Sequence, residues 1–378
     1  MKTMKNTLKC FVAVFMVAMA FVVTGITAKA AIVGTYPTYS PAVYQDLAVN
    51  PGILAQTYSV PANSEVIVPV AIPGKGGLEL AAMADSVTAT SSDIYVRAYA
   101  DPSLTQTLSG AYIGYVAGAE THVIGFNGAC VIYLLVENDS DYTLNFYMAA
   151  AFTSGDNRTV SNGKTTAIYS NDSNAYTYSK FKATKTGYIA VAAAEVDGSY
   201  VYVKLLNNKK QALSDEEYVN NGTLYYGVQK GKTYYIATRS YTDNLYNMRV
   251  KQTQIKEKSG SSKAKAVTIK KNKTVKGVQI ANKKKSGNDW YKIYLPSSKK
   301  VKFTIKGGAT NSGYSSSDIE MKLIPANSNY RLYGNYFDVV NGKSSIYTSS
   351  GTLRAGTYYI QVYKKDKLSS GWYSIKWK

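Results

Sequence analysis

Short runs of alternating apolar and polar residues dominate this chain after its first 55 residues. Ile94-Tyr-Val-Arg-Ala-Tyr99, Tyr200-Val-Tyr-Val-Lys-Leu205 and Val301-Lys-Phe-Thr-Ile305 each place β-branched and aromatic residues at every second position. A period of two predicts strands with one buried face. Clusters of Asn, Asp, Gly and Ser separate the runs, as at Asn138-Asp-Ser-Asp141, Asn207-Asn208, Asn220-Asn-Gly222 and Lys306-Gly-Gly308. Such residues bend the backbone or hydrogen-bond to it locally, so they predict turns. No stretch after the first 30 residues carries a 3.6-residue period over a helix length. The expectation is an all-β protein of short-stranded sandwiches.

One pattern recurs. Gly356-Thr-Tyr-Tyr-Ile-Gln-Val, a polar turn and Gly371-Trp-Tyr-Ser-Ile close the chain. A looser copy runs from Gly231 to Lys251, and a fainter one from Ala129 to Ala149. Each reads as a strand–turn–strand hairpin, and its recurrence at domain spacing predicts one fold used three times. The expected division is a signal peptide at 1–30, β-sandwich domains at 31–152 (with an extended leader) and 153–252, a linker at 253–265, and a third β-sandwich at 266–378. The linker, Lys256-Glu-Lys-Ser-Gly-Ser-Ser-Lys-Ala-Lys265, lacks large apolar residues and is expected to pack no core.

The N-terminal segment has a basic start (Lys2, Lys5, Lys9), an apolar run from Cys10 to Ile26, and Ala28-Lys-Ala30. That order is a secretory signal, with cleavage expected after Ala30 and no stable membrane insertion. Cys130 is then the sole cysteine of the mature chain, which rules out an intrachain disulfide. Lying among Val131, Ile132 and Leu134, it reads as a small core residue. Absence of disulfides with a Tyr/Asn/Lys/Ser-rich composition suggests a Gram-positive source.

The last domain resembles the bacterial pre-peptidase C-terminal domain. The residues that carry the likeness are Thr274-Val-Lys-Gly277, Gly287-Asn-Asp-Trp-Tyr-Lys-Ile-Tyr-Leu295, Leu353-Arg-Ala-Gly-Thr-Tyr-Tyr-Ile-Gln-Val362 and Ser370-Gly-Trp-Tyr-Ser-Ile375. The second domain shares Lys230-Gly-Lys-Thr-Tyr-Tyr-Ile-Ala237, with Tyr176-Thr-Tyr-Ser-Lys-Phe181 as a degenerate counterpart of the Asp-Trp-Tyr strand. The resemblance implies a jelly-roll-like sandwich that serves as a non-catalytic module of secreted proteins. Some relatives bind extracellular polymers or calcium.

Charge sharpens the picture because it is unevenly placed. Residues 31–152 hold two basic and ten acidic side chains, residues 153–252 hold 13 and eight, and residues 253–378 hold 25 and six. A basic last domain beside an acidic first one speaks to partners. Its cations are mostly lysine, point charges suited to phosphate and carboxylate polymers, whereas base-reading sites favour arginine forks. An anionic cell-wall polymer or polysaccharide is the expected partner, an extracellular protein a further one, and nucleic acid is not expected. Candidate ligand residues are Lys283, Lys284, Lys285, Lys299, Lys300, Trp290, Tyr294 and Tyr333. Trp290, Lys292 and Tyr294 should share an outward face, with Tyr291, Ile293 and Leu295 inward.

Catalytic chemistry finds few residues. His122 is the only histidine and sits in a strand pattern without a nucleophile elbow. One His and one Cys cannot make a zinc site. Asn138–Asp141 and Asn171–Asn174 offer calcium oxygens at alternate positions but read first as turns. Asp139/Asp141 and Asp215/Glu216/Glu217 are the carboxylates that a glycoside hydrolase would draw on. The function expected is therefore a secreted, non-enzymatic binding or adhesion protein without a required cofactor. A secreted hydrolase, or an accessory subunit of one, is the alternative.

Overall fold

The computed structural model describes residues 54–84, 94–113, 120–155, 158–170, 175–195, 201–219, 222–240, 244–282, 288–309, 319–330, 332, 334–339 and 344–378. Every regular element in them is a strand. The first sheet pair comprises β1 (Leu54–Val60), β2 (Ser64–Ile72), β3 (Gly76–Ala84), β4 (Ile94–Tyr99), β5 (Thr107–Ile113), β6 (Glu120–Phe126), β7 (Cys130–Asn138) and β8 (Leu144–Ser154). The second comprises β9 (Arg158–Thr159), β10 (Thr165–Ser170), β11 (Thr177–Lys182), β12 (Gly187–Glu195), β13 (Val201–Leu206), β14 (Glu217–Val219), β15 (Thr223–Val228), β16 (Thr233–Arg239) and β17 (Asn244–Gln254). The third comprises β18 (Val267–Thr268), β19 (Thr274–Gln279), β20 (Asp289–Leu295), β21 (Lys302–Ala309), β22 (Ile319–Pro325), β23 (Tyr336–Asp338), β24 (Ser344–Thr348), β25 (Gly356–Lys364) and β26 (Gly371–Trp377).

One strand order serves all three. The sheets β1-β8-β3-β6, β10-β17-β12-β15 and β19-β26-β21-β24 match one another, as do β2-β7-β4-β5, β11-β16-β13-β14 and β20-β25-β22-β23. In the second and third pairs a two-residue parallel strand, β9 or β18, extends the edge beside β11 or β20. Eight strands in two interleaved four-stranded sheets form a jelly roll. The fold is all-β, as the alternation predicted.

The recurring terminal strands are not hairpins. β7 and β8, β16 and β17, and β25 and β26 lie in opposite sheets and form no ladder with each other. Each polar turn instead carries the chain across the end of the sandwich. Alternation and turn chemistry specify a reversal, but they are the same whether the next strand pairs beside its predecessor or packs over it.

Cores lie between the paired sheets. Val66, Val68, Val70, Leu78, Leu80, Val96, Ile124, Ile132, Leu134 and Val136 form the first. Tyr291, Ile293, Leu295, Phe303, Ile305, Met321, Leu323, Ile360, Val362 and Ile375 are central to the third. The chain groups into two compact units: the first sandwich is the body of one, and the second and third together are the body of the other. Within the latter, Gly227 bridges Ile280, and the Ala281 N–H donates to the Gly227 carbonyl at 2.8 Å. Tyr188 stacks on Trp372 with ring centroids 5.0 Å apart and planes 14° apart. Tyr225 lies against Gly308, where a Cβ would come within 2.4 Å of its ring.

The polar segment 253–265 does pack. Ile255 is buried, and its N–H donates to the Thr186 carbonyl at 3.1 Å. Gly260 and Trp290 exchange two backbone hydrogen bonds, of 3.0 and 2.9 Å. A Cβ on Gly260 would meet the Lys265 carbonyl at 2.1 Å, so this approach requires glycine. Composition ruled out an apolar core here, but backbone pairing needs no apolar side chains.

Cys130 also departs from expectation. It opens β7 and is exposed, and the partial burial it retains pushes the thiol upward from its ordinary pKa. Its apolar neighbours belong to the strand interior, and the core begins at Ile132. Among the described residues no helix is long and apolar enough to cross a membrane. The apolar run 10–26 lies outside them.

Candidate functional site: an aromatic and basic sheet face

β20 has the burial pattern that alternation predicts. Asp289, Tyr291, Ile293 and Leu295 point inward, Trp290 and Lys292 are half-buried on the other side, and Tyr294 is 61% exposed. Cross-strand register extends this outward face. Trp290 lies opposite Gln361, which lies opposite Lys322, which lies opposite Tyr336. One row along, Lys292 lies opposite Tyr359, and Tyr359 opposite Ile324. Tyr294 lies opposite Thr357. Cross-strand partners share a face, so Trp290, Tyr294, Tyr336 and Tyr359 stand on one surface with Lys292 and Lys322.

Cations rest on these rings. The Lys322 ammonium is 5.0 Å from the Tyr336 ring centroid, and that of Lys263 is 4.9 Å from the Tyr359 centroid. The ring quadrupole attracts such a charge, and the arrangement keeps it at the surface. Among the described residues carboxylates enter this face at one border, where Tyr363 donates to Glu320 and Asp338 lies opposite Glu320. Among the described residues the ion pairs are Arg97–Glu137 and Arg239–Glu216, neither on this face.

Beneath the face a buried acid, Asp289, lies beside a half-buried one, Glu257. Asp289 Oδ2 accepts hydrogen bonds from Gln279 and Tyr373, both at 2.6 Å, and Oδ1 accepts one from Ser259 at 2.9 Å. The Tyr373 hydroxyl lies 3.1 Å from that of Tyr291 and 3.3 Å from Glu257 Oε1. Burial, and then the charge of Asp289, push Glu257 up to about 8. Burial also raises Asp289, against the opposing hydrogen bond from Tyr373. Glu257 therefore holds a proton at neutral pH. Two facing acids are what a hydrolase would need, yet both Asp289 oxygens are occupied within the core. The network anchors the segment around Glu257 and Ser259 to the third sandwich.

Of the residues singled out from sequence, Trp290 and Tyr294 come together on this face. Lys299 and Lys300 lie in the connection after β20. The Lys299 ammonium stands 5.3 Å from the ring of Trp377, a core residue, and its backbone pairs with Leu353, so it closes the sandwich end instead. Lys300 is exposed. Lys283, Lys284, Lys285 and Tyr333 lie outside the described residues. Tyr336 belongs to the run of tyrosines whose exposed rings could stack on sugars; Lys322, Tyr359 and Lys263 were not singled out for this face, because they join Trp290 through cross-strand register and a distant loop rather than through proximity in sequence.

The remaining candidates resolve locally. The side-chain amide of Asn138 donates to the carbonyls of Val60, Pro61 and Tyr142, each at 2.9 Å, so it braces a turn. The Asn171–Asn174 stretch lies outside the described residues. His122 falls in β6 opposite Leu80. Among the described residues no cluster of three or more His, Cys, Asp or Glu could hold a metal. Glu216 receives Arg239 in a two-pronged ion pair (2.7 and 2.5 Å) and the Tyr176 hydroxyl at 2.5 Å; the Arg239 bonds, ahead of the opposing effect of burial, leave its pKa below normal.

No known protein family matches the sequence, and no characterised protein matches it. Solved structures similar to it share little sequence. The CUB1-EGF-CUB2 region of human MASP-1/3 is 11% identical and covers 52% of this chain and 99% of its own, with a TM-score of 0.17. The M60 catalytic domain with the CBM51-1 and CBM51-2 domains of Clostridium perfringens ZmpB is 8% identical over 51% of this chain and 34% of its own, with a TM-score of 0.19. A triple jelly-roll protein of an archaeal virus is 12% identical over 92% and 96%, with a TM-score of 0.21.

Proposed function

We propose that the chain is a secreted, non-catalytic binding protein of the bacterial surface or extracellular matrix, and that the outer face of its third sandwich holds an anionic wall polymer or polysaccharide. The observation that supports this most is the face itself. Trp290, Tyr294, Tyr336 and Tyr359 offer flat amphipathic rings, and Lys292, Lys322 and Lys263 add positive charge among them in the most basic part of the chain. Aromatic rings stack on sugar rings, and ammonium groups attract carboxylate or phosphate through a screened field. Secretion rests on the charge–apolar–small order of the first 30 residues.

The test uses the full chain and three immobilised probes: polygalacturonate, poly(glycerol phosphate) and a neutral β-glucan. Binding to one or both anionic probes should weaken steeply as salt rises from ~0.01 M to ~0.15 M, where the screening length contracts from ~30 to ~8 Å. Trp290→Ala combined with Lys292→Gln should weaken it at least tenfold. Equal capture by the neutral glucan, or indifference to both salt and the double substitution, would defeat the proposal.

A further inference from the structure

The second sandwich repeats the third's outward face at equivalent positions. The edge strands set the alignment: β9 pairs Arg158 with Ser179, and β18 pairs Val267 with Tyr291, so Ser179 corresponds to Tyr291. The shared Thr-Tyr-Tyr-Ile of Thr233–Ile236 and Thr357–Ile360 agrees with that register. Tyr178 then stands where Trp290 does, and Lys180 where Lys292 does. Tyr178 pairs with Ala237 as Trp290 pairs with Gln361, and Lys180 pairs with Tyr235 as Lys292 pairs with Tyr359. On the next strand Lys204 pairs with Ala237 as Lys322 pairs with Gln361.

Four positions thus carry the same chemistry twice: an aromatic ring, a lysine two residues on, a tyrosine on the neighbouring strand and a lysine on the strand beyond. A fifth member, the third cation, joins each set from a different loop. Lys210, after β13, stands 3.9 Å from the Tyr178 ring centroid and 5.6 Å from that of Tyr235, whereas Lys263, before β18, covers Tyr359. The two lysines come from unrelated places in the chain and reach the equivalent tyrosine. None of Lys180, Lys204, Lys292 and Lys322 is in either ion pair found among the described residues; on the second face Glu216 is held by Arg239, opposite Tyr202, and lies near enough to Lys204 to feel its charge. The matching sheet of the first sandwich lacks the set: Ile67 lies opposite Leu135, and Leu135 opposite Arg97, whose guanidinium is paired with Glu137.

We infer that the chain has two separate, structurally equivalent sites for an acidic oligosaccharide, one on the β11-β16-β13 face and one on the β20-β25-β22 face. The inference builds on the function proposed above, which needs only the second of these. Rings on two adjacent strands receive the sugar, and the lysines on both sides of the tyrosine neutralise its acidic groups.

Equilibrium dialysis of the full chain with saturating tri-galacturonate tests this, with a neutral trisaccharide of glucose as control. Two molecules should bind per chain. Lys180→Gln with Lys204→Gln should leave one, Lys292→Gln with Lys322→Gln should leave one, and all four together none. Unchanged thermal midpoints would show that the exposed charges were removed without unfolding the sandwiches. One molecule per chain, lost with Lys292 and Lys322 and untouched by Lys180 and Lys204, would overturn the second site and leave the proposed function standing. No binding of tri-galacturonate, or equal binding of the neutral trisaccharide, would overturn the inference. Poly(glycerol phosphate) capture by the same chain then tells whether the broader function falls with it.

Discussion

The second and third sandwiches have the same strand order and nearly the same outer face, yet their interiors differ at one matched tyrosine. Tyr246 and Tyr373 occupy equivalent places in β17 and β26, and both are buried. Tyr246 donates to the neutral hydroxyl of Thr238. Tyr373 donates to the carboxyl of Asp289, next to Glu257. Asp289 stands where the second sandwich has Thr177, one residue before the outward aromatic. The difference shows that the fold accommodates either a neutral or an acidic network at this point. In the third sandwich the acidic version also ties down the preceding segment, through Glu257 and Ser259.

That contrast can be broken most directly by removing the two hydroxyls. Tyr373→Phe deprives a buried acid of a donor and should cost about 2–3 kcal/mol, whereas Tyr246→Phe loses a neutral bond worth about 1 kcal/mol. Urea unfolding of the two variants should resolve the order, and equal losses would mean that the acidic network is no stronger than the neutral one.

A pH series sharpens the comparison next. Glu257 is raised from 4.5 to about 8, so between these values the folded chain binds a proton that the unfolded chain releases. Its contribution is full below about pH 4.5 and is lost as pH rises through about 8, because stability falls wherever the native state holds more protons. Glu257→Gln should flatten that fall and stabilise the chain at pH 8 by on the order of 1–2 kcal/mol, allowing for partial exposure and coupling to Asp289. The second sandwich offers the opposite sign. Glu216 is held down first by Arg239, so its contribution is lost as pH falls through its depressed pKa. Thermal midpoints from pH 3 to 9 for Glu257→Gln and Glu216→Gln should bend at opposite ends. A shared bend would reject the assignment.

The smallest effect is expected at the surface. Tyr294→Ala should change stability by less than about 0.5 kcal/mol, because the ring is mostly exposed, while weakening polymer binding. A large stability loss would mean that Tyr294 packs against something other than solvent.

Much of this was legible in the sequence. Alternation in Asp289–Leu295 placed Trp290 and Tyr294 outward because successive strand side chains must point to opposite faces. Val, Ile and Tyr at every second position fixed an all-β class, and the repeated closing motif announced a repeated fold. Local patterns could not say which strands are neighbours. The β25–β26 pair has the sequence of a hairpin, but its strands lie in different sheets, since a turn sets the direction of return and not the partner. For the same reason Tyr359 and Lys322 joined Trp290 only when register brought three distant strands together. Segment 256–265 looked like a linker because its side chains are polar, but Gly260 pairs through its backbone and Glu257 reaches a buried acid about thirty positions along the chain. Sequence determined the faces, because period and polarity are local properties. Tertiary structure decided which faces meet, because pairing and burial depend on residues far apart in the chain.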